Sequence, residues 1–504
     1  MPGINWAQVV NPNYLVLMPA LVLVGFMLLV MVADLFMTEK RMLVWIAFVG
    51  VLLAMASVWF VATDDVIRKS LDSGVPLEFF GKMIIADSFS FFMQAVLLGI
   101  VALMILLSMD YVEKFLHGMY LEFYEVIFAA TLGMMFMVSS RDLITIYVGL
   151  ELSSICSYVL AGLLRKDPKS NEAALKYFLN GALASAILLF GVSLIYGVTG
   201  TTYLPTIGQG LADYAARSAT FIPMLVTGVI FVVGGFSFKV AAVPMHLWAP
   251  DAYEGAPTPV TAFFSVGPKG AAFGAILRIF LVGIGTAPFS DRWMLMWAVL
   301  SVASMFVGNL TALVQTNIKR MMAYSSIAQA GYILVGVVAA GKIGSGAGTS
   351  AVLYYVLGYA LTNLGIFAVL THMDSEGGWV TVDDFKGLAQ RNPVYAWALL
   401  LFFISLIGIP PTVGFMGKFF LFRAAVSGDY LWLAIVMAVN SVISVGYYYG
   451  VIKAMFLEKS EKPALPISGS TLAAVAISAL GVVLVAVLAS PFIGITESAA
   501  ALLK

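Results

Sequence analysis

The chain has 504 residues, 61% hydrophobic and 11% charged, and its 27 basic and 27 acidic side chains balance to zero net charge. Charge at about half the level of a soluble protein, without a basic excess, excludes a nucleic-acid surface and leaves too little polar area to clothe a water-soluble fold. The apolar residues fall in long runs, and roughly 20 in a row is what a helix needs to cross a bilayer.

In chain order, seven such stretches lie at about 14–36, 42–62, 86–108, 121–138, 142–164, 171–197 and 221–249. Seven more follow at about 257–283, 292–315, 321–340, 348–372, 393–423, 430–457 and 469–490. The chain therefore reads as an all-α integral membrane protein of about fourteen transmembrane helices, with short polar loops and no room for a soluble domain. The first span follows a nearly uncharged start without a basic leader and is long enough to stay as an anchor, so it reads as mature sequence. Lys40, Arg41, Lys114, Arg165, Lys166, Lys169, Lys319, Arg320, Lys386, Arg391, Lys459 and Lys462 gather on one side, which the positive-inside rule makes cytoplasmic. Both termini then lie outside a cell inner (plasma) membrane. The loop with Arg68, Lys69 and Lys82 is the main exception, and it also carries Asp64, Asp65 and Asp72.

Redox centres find no ligands in this pattern. The single cysteine, Cys156, falls inside a membrane span, which excludes an internal disulfide and a four-cysteine iron–sulfur cluster held by this chain. His117, His246 and His372 are scattered, with no close pair and no haem-attachment signature. Any electron transfer belongs to partners, and no metal or cofactor is expected on this chain.

The organisation points to a duplication. Leu175, Tyr177, Leu179, Ala182 and Leu183 fall on Leu353, Tyr355, Leu357, Ala360 and Leu361 at a constant offset of 178 residues. Nearby offsets bring SSICSYVLAG near SSIAQAGYILVG and set Pro244 opposite Pro410. The expected division is three leading helices in 1–120, one five-helix repeat in 121–283, a second in 292–457, and a C-terminal helix in 458–504. Five is odd, so the second repeat enters the membrane in the opposite sense, as in many transporters. Pro244 in one repeat and Pro410 with Pro411 in the other should break their helices. Carbonyls freed at membrane depth must be solvated by protein or by water in a cavity, so two breaks in matching positions point to a transport path. A single break would equally fit a plain proline kink.

An ionisable group at mid-bilayer costs at least roughly 2.5 to 3.5 kcal/mol and needs a partner, water or a function. Glu151 sits near the centre of its span with Tyr147, Ser154 and Tyr158 on the same face. Lys239 precedes the first break, Lys269 lies mid-span below Thr261 and Ser265, and Lys418 follows the second break. A lysine taken out of water gives up its proton more readily, and a nearby carboxylate opposes this, so a mobile carboxylate switches a lysine between holding and releasing. Simple snorkelling to the interface is the competing reading, and it is the expectation for Arg278 and Lys453. Lys176, two turns from the loop RKDPKS, and His246, beside the break, are further candidates for proton transfer, as readily explained by a snorkelled charge and a satisfied carbonyl. Ser325, Gln329, Tyr332, Tyr359, Thr362, Asn363, Asn440 and Ser444 could hold water between the charges or serve as ordinary interhelical glue.

The segments GLELSSICSYVLAGL, FSFKVAAVPMHLWAPDAYEGAPTPVTAFFSVGPKGAAF and GIPPTVGFMGKFFLF resemble the N-type antiporter-like subunits of bacterial respiratory complex I, the NADH:quinone oxidoreductase. The resemblance runs over nearly the whole chain. These subunits are similar to Mrp cation/proton antiporter subunits, which supply the alternative reading. Lysine at 418, where the M-type has glutamate, and the absence of a long lateral helix fit the N-type. The resemblance implies that Glu151 and Lys239 form a gating ion pair, that Lys269 is the central proton carrier and that Lys418 serves the exit side. Lys176 is a weaker carry-over. It further implies M-type and small K/J-type membrane subunits as partners, with NADH, FMN, iron–sulfur clusters and quinone bound elsewhere in the complex.

Overall fold

The computed structural model describes residues 12–116, 118–217, 223–284, 290–343, 346–501 and 503, so His117 lies outside the described residues. Bilayer hydrocarbon offers nothing to bond a backbone N–H or C=O, which leaves closed helical ladders as the way for these apolar runs to cross. The leading helices are α1 (Met18–Phe36), α2 (Arg41–Ala62) and α3 (Ser88–Phe115). A hairpin of β1 (Leu77–Phe79) and β2 (Ile84–Ala86) precedes α3. Then come α4 (Tyr120–Val138), α5 (Leu143–Ala161), α6 (Pro168–Thr199), α7 (Pro223–Val240), α8 (Trp248–Gly255) and α9 (Thr258–Arg278). After them, leaving aside shorter or peripheral helices, come α10 (Ser290–Ala312), α11 (Ile318–Ile343), α12 (Gly346–Gly377), α13 (Pro393–Ile407), α14 (Val413–Ser427), α15 (Leu431–Leu457), α16 (Gly469–Val487) and α17 (Ala489–Ala501).

Among the described residues, 13 helices are long and apolar enough to cross a membrane. The fourteenth expected span is the interrupted pair α13 and α14. Its break follows from the sequence: Gly408 takes φ 91°, a left-handed value that glycine adopts without strain, and Pro410 and Pro411 cannot continue the ladder. The other break begins at Ala241, and residues 241–247 separate α7 from the short α8. Pro268 sits inside α9 without ending it.

Helices α9, α11 and α12 are almost wholly enclosed and form the centre, whereas α1 and α6 keep a broad outer face. That outer face is apolar: Leu35, Phe36, Trp59, Val148 and Val442 are exposed, as side chains bathed in lipid should be. Close helix contact relies on glycine. A Cβ on Gly133 of α4 would sit 2.6 Å from the Gly149 carbonyl of α5, and one on Gly308 of α10 would sit 2.6 Å from the Ala328 amide of α11.

Two charges depart from the sequence reading. Arg278 does not snorkel. It is 0% exposed at the end of α9, where Nη1 and Nη2 grip Asp87 at 2.9 and 2.8 Å, Nε donates to the Val138 carbonyl at 2.7 Å, and Nη2 also donates to Ser90. Asp87 is the N-cap of α3, so one bidentate pair ties α3, α4 and α9 together. Lys319, counted above among loop charges, lies in the first turn of α11 and is 5% exposed. Lys453 behaves as expected, with a half-exposed side chain reaching Glu458 at 3.5 Å.

Candidate proton path

Lys239, Lys269 and Lys418 lie in the interior, each placed by a different local device. Lys239 closes α7 just before the break, is 3% exposed and donates to Ser154 Oγ on α5 at 2.8 Å. Lys269 projects from the middle of α9, is 3% exposed and bonds both the carbonyl and the hydroxyl of Ser326 on α11, at 2.9 and 2.5 Å. Lys418 rises from the first turns of α14 and donates to the carbonyls of Leu406 and Ile407 at 2.8 and 2.9 Å and to Ser441 Oγ at 2.7 Å. Those two carbonyls are among the ones the break strips of helical partners. The negative end of the α13 dipole thus faces a cation.

Glu151 and Lys239 form no ion pair within 4.0 Å. The reason is local. Glu151 accepts a hydrogen bond from Ser185 on α6, while Ser154, one turn further along α5, takes the ammonium. The two charges are linked through one turn of α5 and stay apart.

From Lys269 a line of polar groups leads toward Lys418. Ser326 meets the Tyr253 hydroxyl at 3.2 Å, and its neighbour Ser325 meets Tyr448 at 2.5 Å. Tyr447, packed on Tyr448, donates to Asn309 at 3.1 Å. Asn309 in turn donates to Tyr332 at 3.0 Å and to Asn440 at 3.1 Å. The Tyr332 ring lies 4.7 Å below the Lys418 ammonium. A side branch joins Asn363 to Ser265 on α9 and Thr362 to Ser405 on α13.

Of the polar residues named from sequence, Ser325, Tyr332 and Asn440 join this line, Gln329 pairs with Tyr355, and Ser444 turns back on its own helix. Tyr359 has a buried hydroxyl with no partner among the described residues. Lys176 stands apart: it is 44% exposed and pairs with Glu172 and Asp251, both at 2.7 Å, in a surface cluster completed by Arg320 and Glu254. His246 is half-buried within the first break, its Nδ1 without a hydrogen-bond partner among the described residues. Cys156 is buried. Ser185, Tyr253, Asn309, Ser326, Ser441, Tyr447 and Tyr448 were missed from sequence. Asn309 and the tyrosine pair carried a usable signal, since an amide or paired phenols within an apolar span must find partners.

Residues 140–444 match the family described as NADH:quinone oxidoreductase/Mrp antiporter, TM, which makes the chain one of the antiporter-like membrane proteins. It is 65% identical to NADH-quinone oxidoreductase subunit N 2 of Symbiobacterium thermophilum, over 100% of both chains. It is 42% identical to NADH-quinone oxidoreductase subunit N of Trichlorobacter lovleyi, over 90% of this chain and 89% of that one. The chain belongs to the subunit N family of NADH-quinone oxidoreductase. Among solved structures it is similar to a chain of respiratory complex I from Thermus thermophilus with bound aureothin, at TM-score 0.76 and 30% identity over 95% of this chain and 99% of that one. A chain of the Mrp complex from Dietzia shares the fold, at TM-score 0.82 and 23% identity over 97% of both.

Proposed function

We propose that this chain conducts protons through its interior as a non-redox subunit of NADH:quinone oxidoreductase, with Glu151, Lys239, Lys269 and Lys418 as the proton-transfer groups. The carrying observation is that these enclosed ammonium groups are met by hydroxyls and carbonyls, with no carboxylate within 4.0 Å, and that a line of polar side chains leads from Lys269 toward Lys418. A cation so held gains little from keeping its charge, so a modest change in its surroundings moves its proton. Glu151 supplies such a change at Lys239 when its own partner changes from Ser185. Lys269 then exchanges protons with the region around Lys239, and protons move toward Lys418 through water held by the hydroxyls of Ser326, Ser325, Tyr448, Tyr447 and Tyr332, which Asn309 orients. Lys176 and His246 flank this path; the paired, exposed Lys176 contributes least.

In this reading NADH, FMN, iron–sulfur clusters and quinone act in partner subunits. Among the described residues no group of three or more His, Cys, Asp or Glu side chains is placed to hold a metal ion. Two inverted five-helix repeats over 121–283 and 292–457 fit the matched breaks and the tight α4–α5 and α10–α11 pairs. Both termini lie outside. The Mrp-like alternative shares the fold, and an isolated chain that exchanged cations for protons would favour it. The test is proton uptake driven by quinone reduction in vesicles holding the intact complex, with Lys269→Ala compared at equal assembly. Retained electron transfer with lost uptake supports the proposal, and unchanged uptake refutes it.

A further inference from the structure

A cavity of about 820 Å³ opens beside the C-terminal end of α8, lined by Arg165, Asp167, Glu254, Asn317, Lys319 and Asp374 among others. It has ample room for water, and its walls carry the polar groups that hold water in place. Lys319 lies in its wall with only 5% of its surface exposed. The ammonium makes one hydrogen bond among the described residues, to the Ala256 carbonyl at 2.6 Å, and no carboxylate lies within 4.0 Å of it. The nearby Asp374 carboxylate is engaged by Thr258, the first residue of the helix that carries Lys269.

Lys319 also stands in line with the central lysine. Ser326, which holds Lys269, is seven residues further along α11, two turns on the same face and about 10 Å away along the axis. Beside it, α8 spans the same interval: the carbonyl that follows this helix, Ala256, receives Lys319, and its Tyr253 hydroxyl meets Ser326. We propose that this cavity is the aqueous inlet through which protons reach Lys269 and that Lys319 is the proton-transfer group at its floor. The inference rests on the proton-conducting reading above. In the step, the Lys319 ammonium loses a proton that travels by way of the Ser326 and Tyr253 hydroxyls to the neutral amine of Lys269. Lys319, left neutral, takes a proton from hydronium in the cavity. In the first transfer an N–H bond breaks at Lys319 and one forms at Lys269; in the second an O–H bond of hydronium breaks and an N–H bond forms at Lys319, and the sum is one proton moved inward.

The competing role is a plain cap on the carbonyl after α8, which needs a donor but no proton release. Lys319→Arg separates the two, because arginine keeps the charge and the donor but does not deprotonate. In the intact complex, Lys319→Arg and Lys319→Gln should each slow quinone-linked proton uptake about a hundredfold at equal assembly. Normal uptake in Lys319→Arg overturns the inlet. Should either variant fail to assemble, Val380→Cys in a Cys156→Ser background reads the cavity directly. Modification by a charged, membrane-impermeant thiol reagent from one face only, slowing uptake, supports the inlet, and no modification from either face overturns it. Normal uptake in Lys319→Arg together with lost uptake in Lys269→Ala removes the inlet alone, whereas normal uptake in Lys269→Ala removes the proton path itself.

Discussion

Replacing Arg278 by methionine should be among the most damaging single changes in the interior. The substitution keeps bulk against the Phe89 ring, which lies 4.6 Å from the guanidinium, but it removes both bonds to Asp87 and those to Val138 and Ser90. Asp87 is 0% exposed and keeps only the two hydrogen bonds from Ser90. Stranding one partner of a buried pair costs about 3 to 5 kcal/mol, or roughly two to three and a half powers of ten in an equilibrium constant. The assay is the thermal stability of the purified complex for Arg278→Met, Asp87→Asn and the double variant. Asparagine retains an acceptor for the α3 cap without the charge, so the double variant should be more stable than Arg278→Met. Strictly additive losses, or a silent Arg278→Met, would refute the enclosed pair and return Arg278 to the interface.

Ser326→Ala removes the hydroxyl that meets Lys269, a bond to a charged group worth about 1.5 to 3 kcal/mol, and should cut proton uptake roughly 10- to 100-fold while quinone reduction persists. Gly133→Val places its Cβ against backbone atoms of α5 that cannot yield, so assembled complex should be lost on blue-native gels, while Gly25→Ala, with open space at its Cβ, should be neutral. Asp384, in the link between α12 and α13, feels burial that raises its pKa, but bonds from Lys462 and Thr381 outweigh it and hold the carboxyl below its ordinary range. Its contribution to anchoring that link is therefore complete above about pH 4 and fades as pH falls through the lowered value, and limited proteolysis of this link should accelerate in Asp384→Asn at pH 7. Cys156→Ser should leave assembly and pumping nearly unchanged, and a large loss of assembled complex would show that the buried thiol is needed for packing.

The membrane architecture was legible because hydrocarbon allows so few solutions: length and apolarity located the spans, and the prolines located both breaks. Glu151, Lys239, Lys269 and Lys418 stood out for the same reason, as charges that apolar spans must justify. What the chain pattern did not reveal was pairing across helices. Arg278 sits one turn from the end of an apolar run, where snorkelling is the simplest expectation, and only the approach of α3 supplies Asp87. Lys319 belongs to a stretch that reads as a loop, yet α11 begins one residue before it and carries it inside. The separation of Glu151 from Lys239 depends on Ser185, contributed by a neighbouring helix at a distance no spacing rule covers.

The most direct test compares quinone-linked proton uptake into inverted vesicles for the wild-type complex and for Glu151→Ala and Lys269→Ala, at equal assembly and equal electron-transfer capacity. The account predicts that both variants reduce quinone with little proton uptake. Uptake at the wild-type ratio of protons to electrons in Lys269→Ala would contradict it and leave the enclosed lysines as structural charges.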